Sequence, residues 1–242
     1  MKSLLKTIRF AQPAFFKPRS FATVVPQQLD PYQEEALNEK LILVDENDQI
    51  IGTDTKRNCH RVKYGKIPLH RAFSAFIFNS KNELLLQERA SSKVTYPNHL
   101  TNSCCSHPLY DILVGRDNLQ NTGLAVQRRL TFELGIPISE AIPNQFKFIT
   151  KIHYFSEGDG TWGEHEIDYI YIIRKDFTLV PNPMEIGRIF SVSRADFNSF
   201  IKSSGLPLTP WFELIIKNWL FKWWDNLDNL QALRDDKIHR YH

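Results

Sequence analysis

Cysteine is scarce in this chain: three residues among 242, Cys59, Cys104 and Cys105. Three thiols cannot build a disulfide framework, because one is always left over. The sequence therefore reads as a protein of a reducing compartment, with thiols kept free for chemistry or for metal. Long apolar runs are lacking too. None approaches the roughly 20 residues that a membrane-spanning helix needs. After Asp30 there is no repeat, no low-complexity stretch and no linker, so neither an array nor a string of tethered modules fits.

Acidic residues are missing from the first 29 positions, which hold Lys2, Lys6, Arg9, Lys17 and Arg19. The other 25 basic residues face all 27 acids, so the body is slightly negative although the chain carries +3. A basic nucleic-acid-binding domain is excluded on that balance. The basic, acid-free opening, dotted with Ser3, Thr7, Ser20 and Thr23, has the composition of an organelle transit peptide. Mitochondrial import is expected, with plastid or cytoplasm as alternatives, and a cut near Phe21–Ala22 after Arg19. The competing reading is an unstructured basic tail. Residues 1–29 are set aside, and the fold is sought in residues 30–242.

What is present is ordinary globular material, 42% hydrophobic, enough for a full core. "KLILVDENDQIIGTDTK" predicts two short strands about the turn "DEND". "FSAFIFNSKNELLLQER" predicts a second hairpin turning at "NSKN". "GLAVQRRLTFELGI" predicts a helix, with Val126, Leu130 and Leu134 every four residues and Gly135 ending it. "NQFKFITKIHYF" and "EHEIDYIYIIRK" predict strands on either side of the turn "EGDGTWG". "SRADFNSFIKSSG" predicts a helix from Ser193, with Asp196 three residues on and Gly205 closing it. "TPWFELIIKNWLFKWWDNL" predicts an apolar helix capped by Thr209, with Pro210 first. Interleaved strands and helices predict a single α/β (α+β) domain, a mixed β-sheet between helices.

Two of the three cysteines lie in "TNSCCSHPLY", Thr101 to Tyr110. A structural zinc knuckle wants four ligands in two spaced pairs. Cys104, Cys105 and His107 offer one crowded pair and Cys59–His60 another. Either thiol alone reads as an inert core residue; both beside a histidine in a polar stretch fit that less well. "WGEHEIDY" puts Glu164 and Glu166 two apart on a strand, hence on one face, with His165 and Ile167 on the other. Paired carboxylates share a cation or raise one pKa, unless they are merely the polar face of an edge strand. His60, His70 and His107 are candidates to join them in a divalent site, although each taken alone reads as a surface or core residue. Arg129 and Glu133 share a helix face as a surface ion pair, or serve a phosphate and a magnesium ion.

"LHRAFSAFIFN", "TNSCCSHPL", "RRLTFELGI", "WGEHEIDYI" and "TPWF…FKWWDNL" occur in an order that resembles the type 1 isopentenyl-diphosphate isomerase family, over roughly Lys40 to Leu227. That resemblance implies a Nudix-like fold and isomerisation of isopentenyl diphosphate to dimethylallyl diphosphate. It implies that Cys105 and Glu166 are the catalytic pair and Cys104 a dispensable neighbour. It implies a metal on His60, His70, His107, Glu164 and Glu166, which would be Zn2+ or Mn2+. It further implies Mg2+ on Glu133, shared with the diphosphate. Lys56, Arg89, Lys93 and Arg129 match the basic residues about that diphosphate, and Tyr154 and Trp211 an aromatic pair beside the hydrocarbon. The expected partner is a small isoprenoid diphosphate, with no nucleic acid and no membrane, and the protein is expected to be a monomer. Against hydrolytic Nudix boxes, Arg128 and Glu133 remain while Arg129 and Phe132 replace two acids. A Nudix-type diphosphate hydrolase is thus the alternative reading, and a non-enzymatic binding module the third. The stretch 109–123 carries only Asp111 and Asp117 as acids, fewer than the family pattern.

Overall fold

A computed structural model describes residues 29–112 and 117–241. The expected import segment and its cleavage point lie outside them. Among the described residues the first helix is α1 (Pro31–Ala36). Asp30 caps it by accepting the Tyr32 N–H at 2.9 Å. Strands β1 (Lys40–Val44) and β2 (Ile50–Thr55) form the first predicted hairpin, and α2 (Lys56–His60) follows directly. Next come β3 (His70–Phe78), β4 (Leu84–Arg89), β5 (Leu100–Thr101) and β6 (Cys104–Ser106). The long helix α3 (Asn118–Leu134) leads to β7 (Lys147–Ser156), β8 (Glu164–Arg174) and β9 (Ile186–Val192). Three short helices, α4 (Phe197–Ser204), α5 (Pro210–Ile215) and α6 (Phe221–Trp224), precede the last strand, β10 (Ile238–Tyr241).

The main sheet runs β10-β7-β8-β3-β1-β2 and is mixed. β3 and β8 pair in parallel over nine positions, His70 opposite Glu166 through Phe78 opposite Arg174. β7 and β8 are antiparallel, as the turn between them requires. β6 adds to β3 antiparallel, with Ser74 opposite Cys105 and Ala75 opposite Cys104.

The sequence pattern explains why β3 and β8 are central. Every residue of β3 is buried, and β8 is buried from Glu166 to Ile173, because each face has its own apolar cover. One core layer sets Phe76, Phe78, Ile170 and Ile172 against Trp211, Phe212, Ile215 and Trp223 of the carboxy-terminal helices. The other sets Phe73, Ala75, Ile77, Ile167 and Tyr169 against Val126, Leu130 and Leu134 of α3. A side chain's layer follows from its parity along the strand.

Four local expectations need correction. The hairpin at "NSKN" parts after one pair, Phe78 with Leu84, and β4 then pairs with β5 and β9. β3 is already taken up by β6 and β8. Helix α3 starts five residues before Gly123, because Asp117 caps it by accepting the Gln120 N–H at 2.8 Å. Ser193 accepts the Asp196 N–H at 3.2 Å, but continuous helix begins only at Phe197. Thr209 makes no cap bond: its hydroxyl meets Thr101 Oγ1 at 2.9 Å. The helix predicted beyond it is interrupted by a π-helical turn, Ile216–Leu220.

Candidate active site

Parity on β8 sends Glu164, Glu166 and Asp168 into the layer beneath the carboxy-terminal helices. The neighbouring strand β7 puts Tyr154 directly opposite Glu166. β8 is an interior strand, so the edge-strand reading of the two glutamates is wrong. His165 points to the other face, where its Nε2 lies 3.0 Å from His153 Nε2. His60, at the end of α2, His70, at the start of β3, and His107, just after β6, converge with Glu164 and Glu166. Ligand-capable atoms of these five residues lie within 4.8 Å of one another, and all five residues are buried.

Second partners orient the rings. His60 Nδ1 is 2.9 Å from the Lys56 carbonyl, and His70 Nδ1 is 2.9 Å from the Pro68 carbonyl. Each Nδ1 donates to its carbonyl, which turns Nε2 inward as a lone pair. His60 Nε2 lies 3.1 Å from Glu164 Oε2, and His107 Nε2 lies 2.8 Å from Glu166 Oε1. His70 Nε2, His107 Nδ1 and Glu164 Oε2 are buried without a hydrogen bond. Orphaned imidazole nitrogens and a carboxylate oxygen at one point are the donor set of a divalent cation.

Burial lowers the His70 pKa, but the Glu166 carboxylate 3.5 Å away more than reverses this. Burial and the charges of His60 and His70 push His107 well below the usual imidazole range. Burial raises Glu166, yet the His70 imidazole 3.5 Å away and the Tyr154 hydroxyl donating at 2.6 Å leave it below its ordinary value. Asp168 is pushed well up by burial and by Glu166, and it accepts the Ser74 hydroxyl at 2.8 Å.

Cys104 and Cys105 part company on β6. Cys104 is fully buried in the α3 layer. Cys105 turns to the opposite layer and lines a pocket with Ser74, Tyr154, Glu166 and Trp211. Burial pushes its thiol up to about 12, so it carries its proton at neutral pH. Cys59 is buried with its Sγ 3.8 Å from the Asp54 carbonyl, which removes the zinc-knuckle reading. Arg89 lines the same pocket, with Nη1 3.8 Å from Cys105 Sγ and its other donors on the Thr95 and Tyr96 carbonyls. Its guanidinium lies over the Trp211 ring at 5.5 Å, and Trp211 Nε1 donates to Asn102 at 3.0 Å.

At another side of the pocket stand Lys56 and Lys93. Lys93 Nζ is 2.7 Å from Glu185, and Arg129 Nη2 is 3.1 Å from the same carboxylate and 2.7 Å from Glu133. The Arg129–Glu133 pair is therefore buried, not superficial. Glu185 was not legible in "PNPMEIG", which has no catalytic spacing. Asp168 was, because it continues the two-residue period of Glu164 and Glu166. Burial, Lys93 and Arg129 drop Lys56 to about 8. Lys93, Arg129 and Lys56 hold Glu185 well below the carboxylate range against its burial.

Residues 68–212 match the NUDIX domain model. Isopentenyl-diphosphate Delta-isomerase 1 of Mesocricetus auratus is 49% identical over 88% of this chain and 96% of that protein. The chain belongs to the isopentenyl-diphosphate Delta-isomerase family. A chloroplastic family member of Arabidopsis thaliana, isopentenyl-diphosphate Delta-isomerase II, is 42% identical over 88% of this chain and 79% of its own length. A crystal structure from Deinococcus radiodurans, 21% identical, aligns with a TM-score of 0.53 over 75% of this chain and all of that one. It shares the fold, a Nudix-like mixed sheet between helices.

Proposed function

We propose that the chain isomerises isopentenyl diphosphate to dimethylallyl diphosphate. The observation that carries this is one pocket lined by a thiol, a carboxylate and an indole ring: Cys105, Glu166 and Trp211. Transposing the double bond requires one proton added at the terminal carbon and one removed from the carbon nearer the diphosphate. The proton count balances, and a tertiary carbocation lies between the two steps. Water would trap that cation, so the site must be closed and dry. Trp211, only 4% exposed, offers a ring face that stabilises positive charge without attacking it. Cys105 on β6 and Glu166 on β8 have β3 between them, so they reach the five-carbon unit from separate walls, one giving and the other taking a proton. Tyr154 holds the Glu166 carboxylate in place.

His60, His70, His107, Glu164 and Glu166 would hold Zn2+ or Mn2+. Glu133 would hold Mg2+ together with the substrate. A divalent cation there neutralises buried carboxylates and helps set the acidity of Glu166. Lys56, Arg89 and Lys93, which line the pocket, would bind the diphosphate together with Arg129, which shares Glu185 with Lys93, and that binding energy would position the alkene. Hydrolysis is the weaker reading, because Arg129 ion-pairs with Glu133 where a hydrolase would place a further acid. The enzyme acts as a monomer in this account, and residues 1–29 direct it to the mitochondrion, with plastid or cytoplasm as alternatives.

Proton NMR of isopentenyl diphosphate with the purified chain tests this. Vinylidene signals should give way to the two methyl signals of the dimethylallyl product, with no inorganic phosphate. Phosphate release with the alkene intact would favour hydrolysis.

A further inference from the structure

Between the ligands His60 and Glu164 the chain makes a contact that no metal ligand explains. Residues 60–62 run antiparallel to 161–163. The Gly163 N–H donates to the His60 carbonyl at 2.9 Å and the Val62 N–H to the Thr161 carbonyl at 3.0 Å. Arg61 bridges to Trp162, with its guanidinium 5.4 Å from the indole ring. This two-rung ladder ties the end of α2 to the turn before β8. His60 Nε2 thereby comes to 3.1 Å from Glu164 Oε2.

The ladder closes only because position 163 has no side chain. A Cβ there would stand 2.4 Å from the Ser156 carbonyl oxygen, 2.7 Å from Ile67 Cδ1 and 2.8 Å from the Glu157 carbonyl carbon. Two of those atoms are backbone of the β7 end and its turn, which cannot swing aside as a flexible side-chain tip does. A methyl group at 163 must therefore lift residues 161–163 off the end of β7, and that withdraws the Gly163 N–H that holds the His60 carbonyl. The other four ligands hang on β8, β3 and the end of β6, where nine register pairs fix His70 against Glu166.

We infer that Gly163 is a positioning residue of the metal centre: its close seat against the end of β7 lets its N–H hold the His60 carbonyl, and so sets His60 beside Glu164. The inference rests on reading the five-residue cluster as that centre. Gly163→Ala should cost about tenfold or more in divalent-metal affinity, as loss of a ligand's outer support does.

The test is a calorimetric titration with Zn2+, paired with the visible spectrum of the Co2+ form, on wild type, Gly163→Ala, His60→Ala and the double variant, all full-length. Gly187→Ala is the control, since a Cβ there meets nothing nearer than 3.6 Å. Gly163→Ala should bind weakly with an altered Co2+ spectrum and still unfold cooperatively in chelator. The double variant should bind no worse than His60→Ala alone, because both changes remove one ligand. Wild-type affinity in Gly163→Ala, or fully additive losses in the double variant, would overturn the inference. If Gly163→Ala does not fold, Val62→Pro, which deletes the other rung of the ladder and leaves Gly163 in place, should weaken Zn2+ binding instead; wild-type affinity in Val62→Pro would also overturn the inference. Wild type failing to bind Zn2+ or Co2+ would instead sink the reading of the cluster itself.

Discussion

Cys104 and Cys105 face opposite layers of the molecule, and their substitutions should differ accordingly. Cys105→Ala removes the thiol from the pocket and should cut isomerisation by about a thousandfold or more, in keeping with the loss of a general acid or base. Its melting temperature should stay near wild type. Cys104→Ala empties a small volume in the α3 layer, so it should cost about 1 kcal/mol of stability and leave most of the activity. Steady-state rates with thermal melts check both. Lys56 gives a pH signature. Burial beside Lys93 and Arg129 drops its ammonium to about 8, so in the free enzyme it is charged below that pH and neutral above. kcat/KM for the diphosphate substrate should therefore fall as pH rises through about 8, and kcat should change less. In Lys56→Met that limb should flatten at a lower overall kcat/KM. A limb unchanged in Lys56→Met would assign the titration to another group.

At the scale of elements, α5 carries the indole and β8 the carboxylates. Trp211→Ala should lower kcat about thirtyfold, since a desolvated cation–π contact is worth about 2 kcal/mol and each 1.36 kcal/mol is tenfold in rate. Trp211→Phe keeps a ring face, loses the bond to Asn102, and should recover much of that. Equal damage in both variants, read as kcat, would assign Trp211 to packing alone. Periodicity in the sequence was enough for β8, because a two-residue period survives whatever packs above it. It was enough for the end of α3 too, where Gly135 takes a left-handed φ of 67°. It was not enough for the start of α3, whose cap is Asp117 in a polar run without apolar period. Nor could it show that β4 leaves β3 after one pair, since that depends on β6 and β8, far away in sequence. The five-residue cluster was legible as residue types and one strand spacing, and the family resemblance joined them; the geometry then brought them within 4.8 Å. Glu185 was illegible because its partners, Lys93 and Arg129, reach it only through the fold.

For the whole molecule, a metal held by the proposed cluster would make folding and metal binding one equilibrium. A cation bound only by the folded chain stabilises it by about 2.7 kcal/mol at a hundred times its Kd. Chelation should lower the melting temperature by several degrees and abolish activity together, and Zn2+ or Mn2+ should restore both. A protein starting at Ala22 should keep full activity, and amino-terminal sequencing from purified organelles should find Met1 gone; an intact Met1 there would end the import proposal. The central claim is that the chain moves a double bond by exchanging protons with the medium at Cys105 and Glu166. The most direct measurement is mass spectrometry of the product formed from isopentenyl diphosphate in D2O by the full chain and by Cys105→Ala. The account predicts dimethylallyl diphosphate carrying deuterium with the wild type and about a thousandfold less product from the variant in the same time. Inorganic phosphate as the product, or unlabelled dimethylallyl diphosphate from both proteins, would contradict it.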